Sequence, residues 1–230
     1  MGSIGSNLQE VKRRIADACG HAGRPANSVT LLAVGKTFGA DAVRAAFAAG
    51  QQAFGENYVQ EGLAKIEALA DLRAALMWHL IGPLQSNKTR AVAEAFDWVH
   101  SVDRLKIAER LAAQRPPGLP PLQLCLQVNI SEEASKSGVA PAELPALAAA
   151  VAALPRERVV LRGLMAIPEA AATPQAQRAP HAALRALLQS LNARGLALDT
   201  LSMGMSADLE AAVAEGATIV RVGSAIFGRR

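Results

Sequence analysis

The sequence contains few aromatic residues, cysteines or histidines, and each scarcity excludes a class of protein. Aromatic residues make up 3% of the chain and hydrophobic residues 51%, so the core must be built from aliphatic and alanine side chains. Cys19 and Cys125 are far apart, which disfavours a disulfide framework and predicts two buried thiols in a reducing cytoplasm. Four dispersed histidines without a Cys/His cluster argue against a metal site.

Charge clusters and long apolar runs are also missing. The 24 basic and 20 acidic residues give a formal net charge of +4. This mild charge weakly supports small anionic ligands and does not predict a nucleic-acid partner. No apolar run approaches the length of a transmembrane helix, and the first six residues do not begin a signal peptide. We therefore expect a cytoplasmic protein without a membrane partner.

What the chain does contain is a regular alternation of short apolar runs and helical patterns. Apolar residues at helical spacing predict a helix over residues 8–19, ahead of the first strand. Eight strands are predicted, over residues 29–36, 52–55, 77–81, 98–102, 122–129, 159–167, 198–203 and 219–223. Helices are predicted between them, over residues 40–49, 58–69, up to about 96, 104–114, 142–153, 181–194 and 207–215. The segment 168–180 contains three prolines and is predicted to be an exposed mobile loop.

Repeated strand–helix units predict a parallel sheet. Eight units in about 200 residues predict a closed barrel near the lower size limit for that fold. The predicted architecture is therefore α/β, a single (β/α)8 TIM-type barrel with an extra N-terminal helix, forming one domain over residues 1–230. A doubly wound open sheet is the alternative. The lack of a Gly-x-Gly-x-x-Gly segment after the first strand disfavours it.

The first predicted strand, Val29-Thr-Leu-Leu-Ala-Val-Gly-Lys36, ends in a lysine. Strand alternation places Leu32, Val34 and Lys36 on one face. An ammonium on that face is expected to have left bulk water for a partly apolar site. Desolvation lowers the pKa of a lysine and favours the neutral amine, which attacks carbonyl groups. The alternative is a lysine at a strand end whose ammonium reaches solvent.

The loops after the seventh and eighth strands have the composition of a phosphate site. In this barrel type, phosphate is often held by these two loops, which read Ser202-Met-Gly-Met-Ser206 and Val222-Gly-Ser-Ala-Ile-Phe-Gly228. Glycines let the backbone approach a phosphate, and free N–H groups at a helix start can donate to its oxygens together with serine hydroxyls. Helix capping by Ser206 and simple packing at Gly223 are the alternatives. Two such loops at the two expected positions favour a phosphate site.

Arg221 shares a strand face with Ile219 and Gly223 and is expected to point into the barrel beside Lys36. A buried guanidinium needs an acceptor. That acceptor could be a ring nitrogen of a ligand or a structural carboxylate inside the barrel. A Schiff-base lysine, a neighbouring arginine and a phosphate site together fit pyridoxal 5'-phosphate (PLP), whose aldehyde, ring nitrogen and phosphate lie along one axis.

Six longer segments match a known family. They are Phe54-Gly-Glu-Asn-Tyr-Val-Gln-Glu61, Trp78-His-Leu-Ile-Gly-Pro-Leu-Gln-Ser-Asn-Lys88, Asn129-Ile-Ser-Glu-Glu-Ala-Ser-Lys-Ser-Gly138, Arg162-Gly-Leu-Met-Ala-Ile-Pro168, Leu201-Ser-Met-Gly-Met-Ser206 and Arg221-Val-Gly-Ser-Ala-Ile-Phe-Gly228. Through them, nearly the whole chain resembles the pyridoxal phosphate homeostasis proteins, also called proline synthetase co-transcribed homologue proteins. That family is similar in fold to the N-terminal barrel of bacterial alanine racemases. One departure is Gly35-Lys36-Thr37-Phe38-Gly39, which stands where the family usually has Ser-Lys-Thr-x-Pro and alters the local loop.

The resemblance implies roles for particular residues. Lys36 would carry PLP as an aldimine, Arg221 would face the pyridine nitrogen, and the phosphate loops would hold the phosphate. The expected cofactor-binding residues are Lys36, Asn57, His79, Ser202, Met203, Gly204, Ser206, Arg221, Gly223 and Ser224. Asn57 could reach the ring hydroxyl or cap the next helix, and His79 and His100 are expected to be core or ring-side residues. Lys136, in the loop 131–138, is expected to be solvent-exposed rather than a second amine for the aldehyde.

A carrier is predicted rather than an enzyme. A racemase needs a base on each face of the substrate carbon, and the racemases that this chain resembles take the opposing tyrosine from a second domain, whereas Tyr58 is the only tyrosine here. A cation beside the ring nitrogen also weakens the ring as an electron sink. The chain is therefore predicted to be a monomeric protein without catalytic residues or metal. It would hold PLP, maintain vitamin B6 and amino-acid homeostasis, and serve PLP-dependent apoenzymes. The alternatives are a small amino-acid racemase using Lys36 and Tyr58, or a sugar-phosphate aldolase with a lysine Schiff base.

Overall fold

A closed barrel of eight parallel strands forms the centre of the fold. The computed structural model describes residues 2–131 and 137–228. The strands are Thr30–Val34 (β1), Ala53–Glu56 (β2), Met77–Leu80 (β3), Trp98–Val102 (β4), Leu122–Gln127 (β5), Val159–Met165 (β6), Thr200–Ser202 (β7) and Ile219–Val222 (β8). Each strand pairs with the next one along the chain, and β8 pairs with β1. The predicted (β/α)8 barrel is confirmed.

Helices cover the outside of the barrel. Those in the described part of the chain are Ile4–His21 (α1), Ala40–Ala48 (α2), Val59–Ala68 (α3), Thr89–Ala95 (α4), Leu105–Gln114 (α5), Leu144–Ala152 (α6), Pro174–Ala193 (α7), Leu209–Ala214 (α8) and Ser224–Phe227 (α9). The extra N-terminal helix is present as α1, and the hydroxyl of Ser3 caps it by accepting from the Ser6 N–H. Helix α1 packs against α8 and α9, so the two ends of the described chain meet on one side of the barrel.

The strands are buried on both faces, which explains their nearly continuous apolar sequences. Leu32 and Val34 of β1 lie inside the barrel with Ile81, Trp98 and Met165. The alternate residues of β1 pack in the layer between the barrel and the helices. The predicted face is therefore confirmed for Leu32 and Val34, whereas Lys36 lies beyond the end of the strand.

The segment 168–180 was predicted to be a mobile loop, and this prediction is wrong over its second half. Helix α7 begins at Pro174, and the Thr173 hydroxyl caps it by accepting from the Ala176 N–H. Proline is favoured in the first turn because its missing N–H would have no helical partner there. Pro180 lies inside the helix. The helix continues past it because the residues that follow, His181, Leu184 and Leu191, are buried and stabilise this helical face against the barrel.

The described chain holds no disulfide and no metal-type cluster. Cys19 on α1 and Cys125 inside the barrel are both buried free thiols, as predicted. Burial raises the pKa of the Cys125 thiol to about 12, so this thiol is inert at neutral pH. Within residues 2–131 and 137–228, no group of three His, Cys, Asp or Glu side chains could hold a metal ion. None of the helices there is long and apolar enough to cross a membrane.

Candidate cofactor-binding site

Lys36 lies at the rim of the barrel, at the carboxyl end of β1. The strand ends at Val34, and Gly35 is the last buried residue before the lysine. Lys36 itself is exposed. The prediction that its side chain has left bulk water is therefore wrong, because the strand stops two residues earlier than predicted. The amine is instead presented to solvent at the end of the barrel where active groups of this fold collect.

A buried ion pair holds the backbone directly before Lys36. The Lys65 ammonium donates to the Gly35 carbonyl oxygen at 2.6 Å and to Glu56 Oε1 at 2.7 Å. Burial raises the pKa of Glu56, although its hydrogen bond to Lys65 opposes the shift. Glu56 Oε2 is buried and has no hydrogen-bond partner in the described chain. Sequence reasoning missed this pair, because nothing in the local pattern of β2 and α3 links two side chains nine residues apart.

The backbone directly after Lys36 is also constrained. Thr37 has φ 66°, in the left-handed region that a β-branched residue rarely adopts. Its N–H donates to Glu61 Oε2 at 3.1 Å. Hydrogen bonds with two residues of α3, the donor Lys65 and the acceptor Glu61, thus hold the chain on both sides of Lys36.

Arg221 points into the barrel, as predicted, and is almost fully buried. Its Nη1 donates to the Ser202 carbonyl oxygen at 2.6 Å and to the Ser202 hydroxyl at 2.9 Å, and its Nη2 donates to the Ala166 carbonyl oxygen at 2.8 Å. Burial lowers the pKa of Arg221 to about 10, so the guanidinium is charged at neutral pH. The alternative of a carboxylate partner inside the barrel is wrong, since these acceptors are two backbone carbonyls and a hydroxyl.

A chain of hydrogen bonds leads from Arg221 into the middle of the barrel. The Ser202 hydroxyl lies 2.8 Å from His100 Nδ1, and His100 Nε2 lies 2.9 Å from His79 Nδ1. All three side chains are buried. Burial lowers the pKa of His79 to about 3 and that of His100 well below its usual value. Both imidazoles are therefore neutral at physiological pH.

This series of hydrogen bonds shows that two of the expected site residues have other positions than predicted. The Ser202 hydroxyl is already engaged by Arg221 and His100, so it contributes to the support of Arg221 rather than to the loop surface. His79 stacks on Trp98 with ring centroids 5.3 Å apart and lines a cavity at the opposite end of the barrel. The expectation that His79 lies beside a cofactor at the rim does not fit this placement. The sequence pattern could not show at which end of the barrel His79 lies, because β3 is only four residues long.

The loop after β7 is shaped by close packing. Met203 is buried in the layer outside the barrel, and its N–H donates to the Ile219 carbonyl, so only its backbone adjoins the rim. Gly204 has φ 92°, and a Cβ there would lie 2.4 Å from the Ala212 Cβ. Only glycine fits at this position.

The helix that follows β7 starts later than predicted. Helix α8 begins at Leu209 with Asp208 as its N-cap residue, so Ser206 does not cap it. The Met205 N–H donates to Asp208 Oδ1 at 2.7 Å. Ser206 is half-buried at the rim. Within the described chain no acceptor is found for its N–H or its hydroxyl, and both can therefore donate to an anion.

The loop after β8 lies beside this one and beside the end of β1. The Arg221 N–H donates to the Gly204 carbonyl at 2.9 Å, which joins the loop after β7 to strand β8. A Cβ on Gly223 would lie 3.0 Å from the Val34 carbonyl oxygen, so this glycine lets β8 approach the end of β1. Helix α9 begins at Ser224, which is exposed. The first N–H groups of a helix have no partner inside it and attract anions.

Asn57 occupies a cavity wall at the same end of the barrel. It does not cap α3, whose N-cap residue is Tyr58. Its Oδ1 atom is buried and has no hydrogen-bond partner in the described chain, and it lines a cavity of about 370 Å³ together with Ile81 and Gln127. A Cβ on Gly82 would lie 2.0 Å from the Asn57 carbonyl oxygen, which shows how closely the loops after β2 and β3 approach.

These residues fit pyridoxal 5'-phosphate. The rim holds an exposed amine for the aldehyde and two adjoining loops with free backbone and hydroxyl donors for the phosphate. An unsatisfied buried acceptor, Asn57 Oδ1, suits a ring hydroxyl that donates to it. Lys136, considered as a second amine, lies outside the described residues.

Comparisons with known proteins find similar sequences along almost the whole chain. The model of the family described as alanine racemase, N-terminal domain, matches residues 6–230. The pyridoxal phosphate homeostasis protein of Pseudomonas aeruginosa is 63% identical over 230 residues, covering 100% of this chain and 97% of that protein. The protein of the same name from Escherichia coli strain K12 is 53% identical over 231 residues, with coverage of 100% and 98%.

Solved structures are also similar over almost the whole chain. PipY of Synechococcus elongatus with PLP bound is 41% identical with a TM-score of 0.84, covering 98% of this chain and 100% of that chain. The alanine racemase of Corynebacterium glutamicum is 19% identical with a TM-score of 0.66, covering 99% of this chain and 61% of that chain. At that identity the racemase shows a shared fold and nothing further.

Proposed function

This chain belongs to the pyridoxal phosphate homeostasis protein family, and we propose that it binds PLP reversibly through Lys36 and buffers or delivers it. The cofactor would be held as an aldimine of Lys36, with Ser206, Gly223 and Ser224 at the phosphate and Arg221 at the ring nitrogen. The observation that carries the proposal is the meeting of three segments at one rim. Gly223 packs on the carbonyl of Val34, so the phosphate loops and the Lys36 loop adjoin.

The protein's own residues supply a binding site and little for catalysis. Arg221 is a cation fixed by Ser202 and Ala166, and a fixed cation disfavours protonation of a neighbouring ring nitrogen. When bound, PLP supplies a reactive aldehyde and an electron sink. The single tyrosine, Tyr58, is 59% exposed, so it lacks the buried, positioned environment expected of a catalytic base. These features support a carrier in vitamin B6 and amino-acid homeostasis.

Lys36→Ala tests the attachment site. Wild-type protein mixed with PLP should develop a visible absorbance band, and borohydride reduction should leave a covalent adduct on the peptide that contains Lys36. Lys36→Ala should lose the band and the adduct, whereas the exposed control Lys106→Ala should keep both. A trapped adduct of undiminished yield in Lys36→Ala would show that another amine carries the cofactor.

The wider role can be tested with the same protein. We propose a monomeric, single-domain, cytoplasmic protein that passes PLP to PLP-dependent apoenzymes. Light scattering of the eluted protein should give the mass of one 24.0 kDa chain. An apoenzyme mixed with the loaded protein should regain activity faster than with Lys36→Ala supplied with the same total PLP. Sustained racemisation of any amino acid, lost in Tyr58→Phe, would instead establish a racemase.

A further inference from the structure

Helix α7 carries a buried histidine that contacts the segment between β7 and α8. His181 lies on the same buried face of α7 as Leu184 and Leu191 and is 1% exposed. Its Nδ1 atom is buried and has no hydrogen-bond partner within the described chain. An unsatisfied polar atom in a packed layer lowers stability, and a leucine on this face would carry no such cost. The packing of α7 therefore does not explain a histidine here, whereas its one hydrogen bond does.

His181 donates that hydrogen bond to Asp208, the residue before helix α8. His181 Nε2 lies 2.9 Å from Asp208 Oδ2. Burial opposes ionisation of Asp208, but the hydrogen bonds from His181 and from the Met205 N–H outweigh it and lower the pKa of this carboxyl. An ionised carboxylate can only accept hydrogen bonds. Nε2 is therefore the donor, whether the imidazole is neutral or charged.

The other oxygen of the same carboxylate holds the loop after β7. Asp208 Oδ1 accepts from the Met205 N–H at 2.7 Å. Asp208 is the N-cap residue of α8, yet its side chain makes no capping hydrogen bond to that helix. Its two oxygens instead join α7 to the residue directly before Ser206. A link of two hydrogen bonds thus runs from His181 through Asp208 to Met205.

The carbonyl groups of this loop are also engaged. The Gly204 carbonyl accepts from the Arg221 N–H at 2.9 Å. The Ser206 carbonyl accepts from Arg14 Nη2 at 3.2 Å. The loop is therefore held in place by its neighbours, while the N–H and the hydroxyl of Ser206 stay free to donate to an anion. A loop that is fixed before its ligand arrives loses less conformational entropy on binding.

We propose that His181 is a positioning residue for the cofactor phosphate and acts through Asp208 on the loop that carries Ser206. The inference rests on the proposed function, in which Ser206 binds the phosphate of PLP. His181 does not touch the cofactor. Without its N–H, the Asp208 side chain, which is only 15% exposed, would lose a buried partner and turn towards water, and Met205 would no longer be fixed. His181 should therefore favour PLP over pyridoxal, which has the same ring and aldehyde but lacks the phosphate.

The ratio of the dissociation constants of pyridoxal and PLP measures this role. Absorbance titration of the full-length protein gives both constants, and the hemiacetal form of free pyridoxal affects every variant equally. His181→Leu should lower the ratio about tenfold, the net value of one hydrogen bond, and leave the affinity for pyridoxal unchanged. His181→Gln can place an amide N–H near the position of Nε2 and should restore most of the ratio. Partial unfolding would weaken both ligands alike and leave the ratio unchanged.

Further variants separate the link from packing and from charge. Leu184→Ala removes a buried side chain one turn along α7, and it should leave the ratio unchanged because it does not touch the link. Asp208→Asn and Asp208→Ala both remove the charge, but the asparagine amide can still accept from Met205 and donate to His181. Asp208→Ala should therefore have the lower ratio. This pair decides the proposal even if His181→Leu does not fold.

The outcomes distinguish a failure of the positioning role from a failure of the phosphate site. A wild-type ratio in His181→Leu, equal ratios in the two Asp208 variants, or an equal loss in Leu184→Ala would overturn the positioning role alone. Equal affinity of the wild type for PLP and pyridoxal would show that the rim holds no phosphate site, and would overturn both.

Discussion

Lys65 donates to the carbonyl oxygen of Gly35 across 2.6 Å, and this hydrogen bond ties helix α3 to the residue that precedes Lys36. The same ammonium neutralises Glu56, whose carboxylate is completely buried. A buried charge pair is seldom a large net source of stability, but it is well suited to fix a geometry. We interpret the pair as the support of the rim segment that carries Lys36.

Removing the Lys65 ammonium should therefore destabilise the folded protein. Lys65→Met leaves Glu56 buried without a counter-charge, and we expect the free energy of unfolding to fall by about 3–5 kcal/mol. The double variant Lys65→Met/Glu56→Gln should regain part of this loss, and the exposed control Lys106→Met should lose little. Urea unfolding measures all three. A free energy of unfolding for Lys65→Met within error of wild type would contradict the assigned role.

Gly35 offers a test of whether the buried carboxylate of Glu56 can accept a further hydrogen bond. A Cβ at residue 35 would lie 3.0 Å from Glu56 Oε1, so any side chain there is crowded, but a serine hydroxyl could donate to the carboxylate. We expect Gly35→Ser to be more stable than Gly35→Ala by about 1 kcal/mol, the usual net value of one hydrogen bond. The two variants carry the same added Cβ, so their difference isolates the hydroxyl. Equal stabilities would show that the hydroxyl finds no partner.

The buried histidines predict a pH dependence of stability. In the unfolded chain, histidines bind protons below about pH 6.5, whereas His79 in the fold does so only near its pKa of about 3. The unfolded state thus binds more protons between these values, and the free energy of unfolding falls as the pH is lowered through that window. The limiting slope is about 1.4 kcal/mol per pH unit for each such histidine.

Two histidine variants test whether His79 is a source of this pH dependence. His79→Gln should reduce the acid-side slope measured by urea unfolding between pH 6.5 and 4.5. His21→Gln, at an exposed position on α1, should leave it unchanged. If His79→Gln retains the full wild-type slope, His79 is not a source of the pH dependence.

Replacing Arg221 with lysine tests whether the shape of the guanidinium or only its charge stabilises the barrel. Its two terminal nitrogens bridge the ends of β6 and β7, and an ammonium cannot reproduce that fork. We expect Arg221→Lys to lower the free energy of unfolding by about 2 kcal/mol, because hydrogen bonds to charged groups contribute about 1.5–3 kcal/mol each and lysine keeps some of them. Arg104→Lys, at an exposed position, is the matched control. Equal losses in the two variants would show that charge alone suffices at residue 221.

Local patterns predicted much of this molecule. Alternation alone placed Leu32 and Val34 inside the barrel and Arg221 with them, because the face of a strand residue depends only on its neighbours. The same local reasoning failed over 168–180, since burial of the residues after Pro180 stabilises a helix that the prolines disfavour. It also placed Lys36 in a strand that ends two residues earlier, at Val34, because strand ends depend on pairing with adjacent strands.

By itself the sequence determined the eight strand–helix units, the faces of the strands and the family to which the chain belongs. The tertiary structure alone decided the partners of the buried polar groups. His100 meets His79, 21 residues away, and Ser202, 102 residues away. Such contacts depend on the register of the closed barrel, which every strand pairing sets together. No pattern along the chain encodes them, because the direction of a hydrogen bond is specified only when both partners have been brought into place.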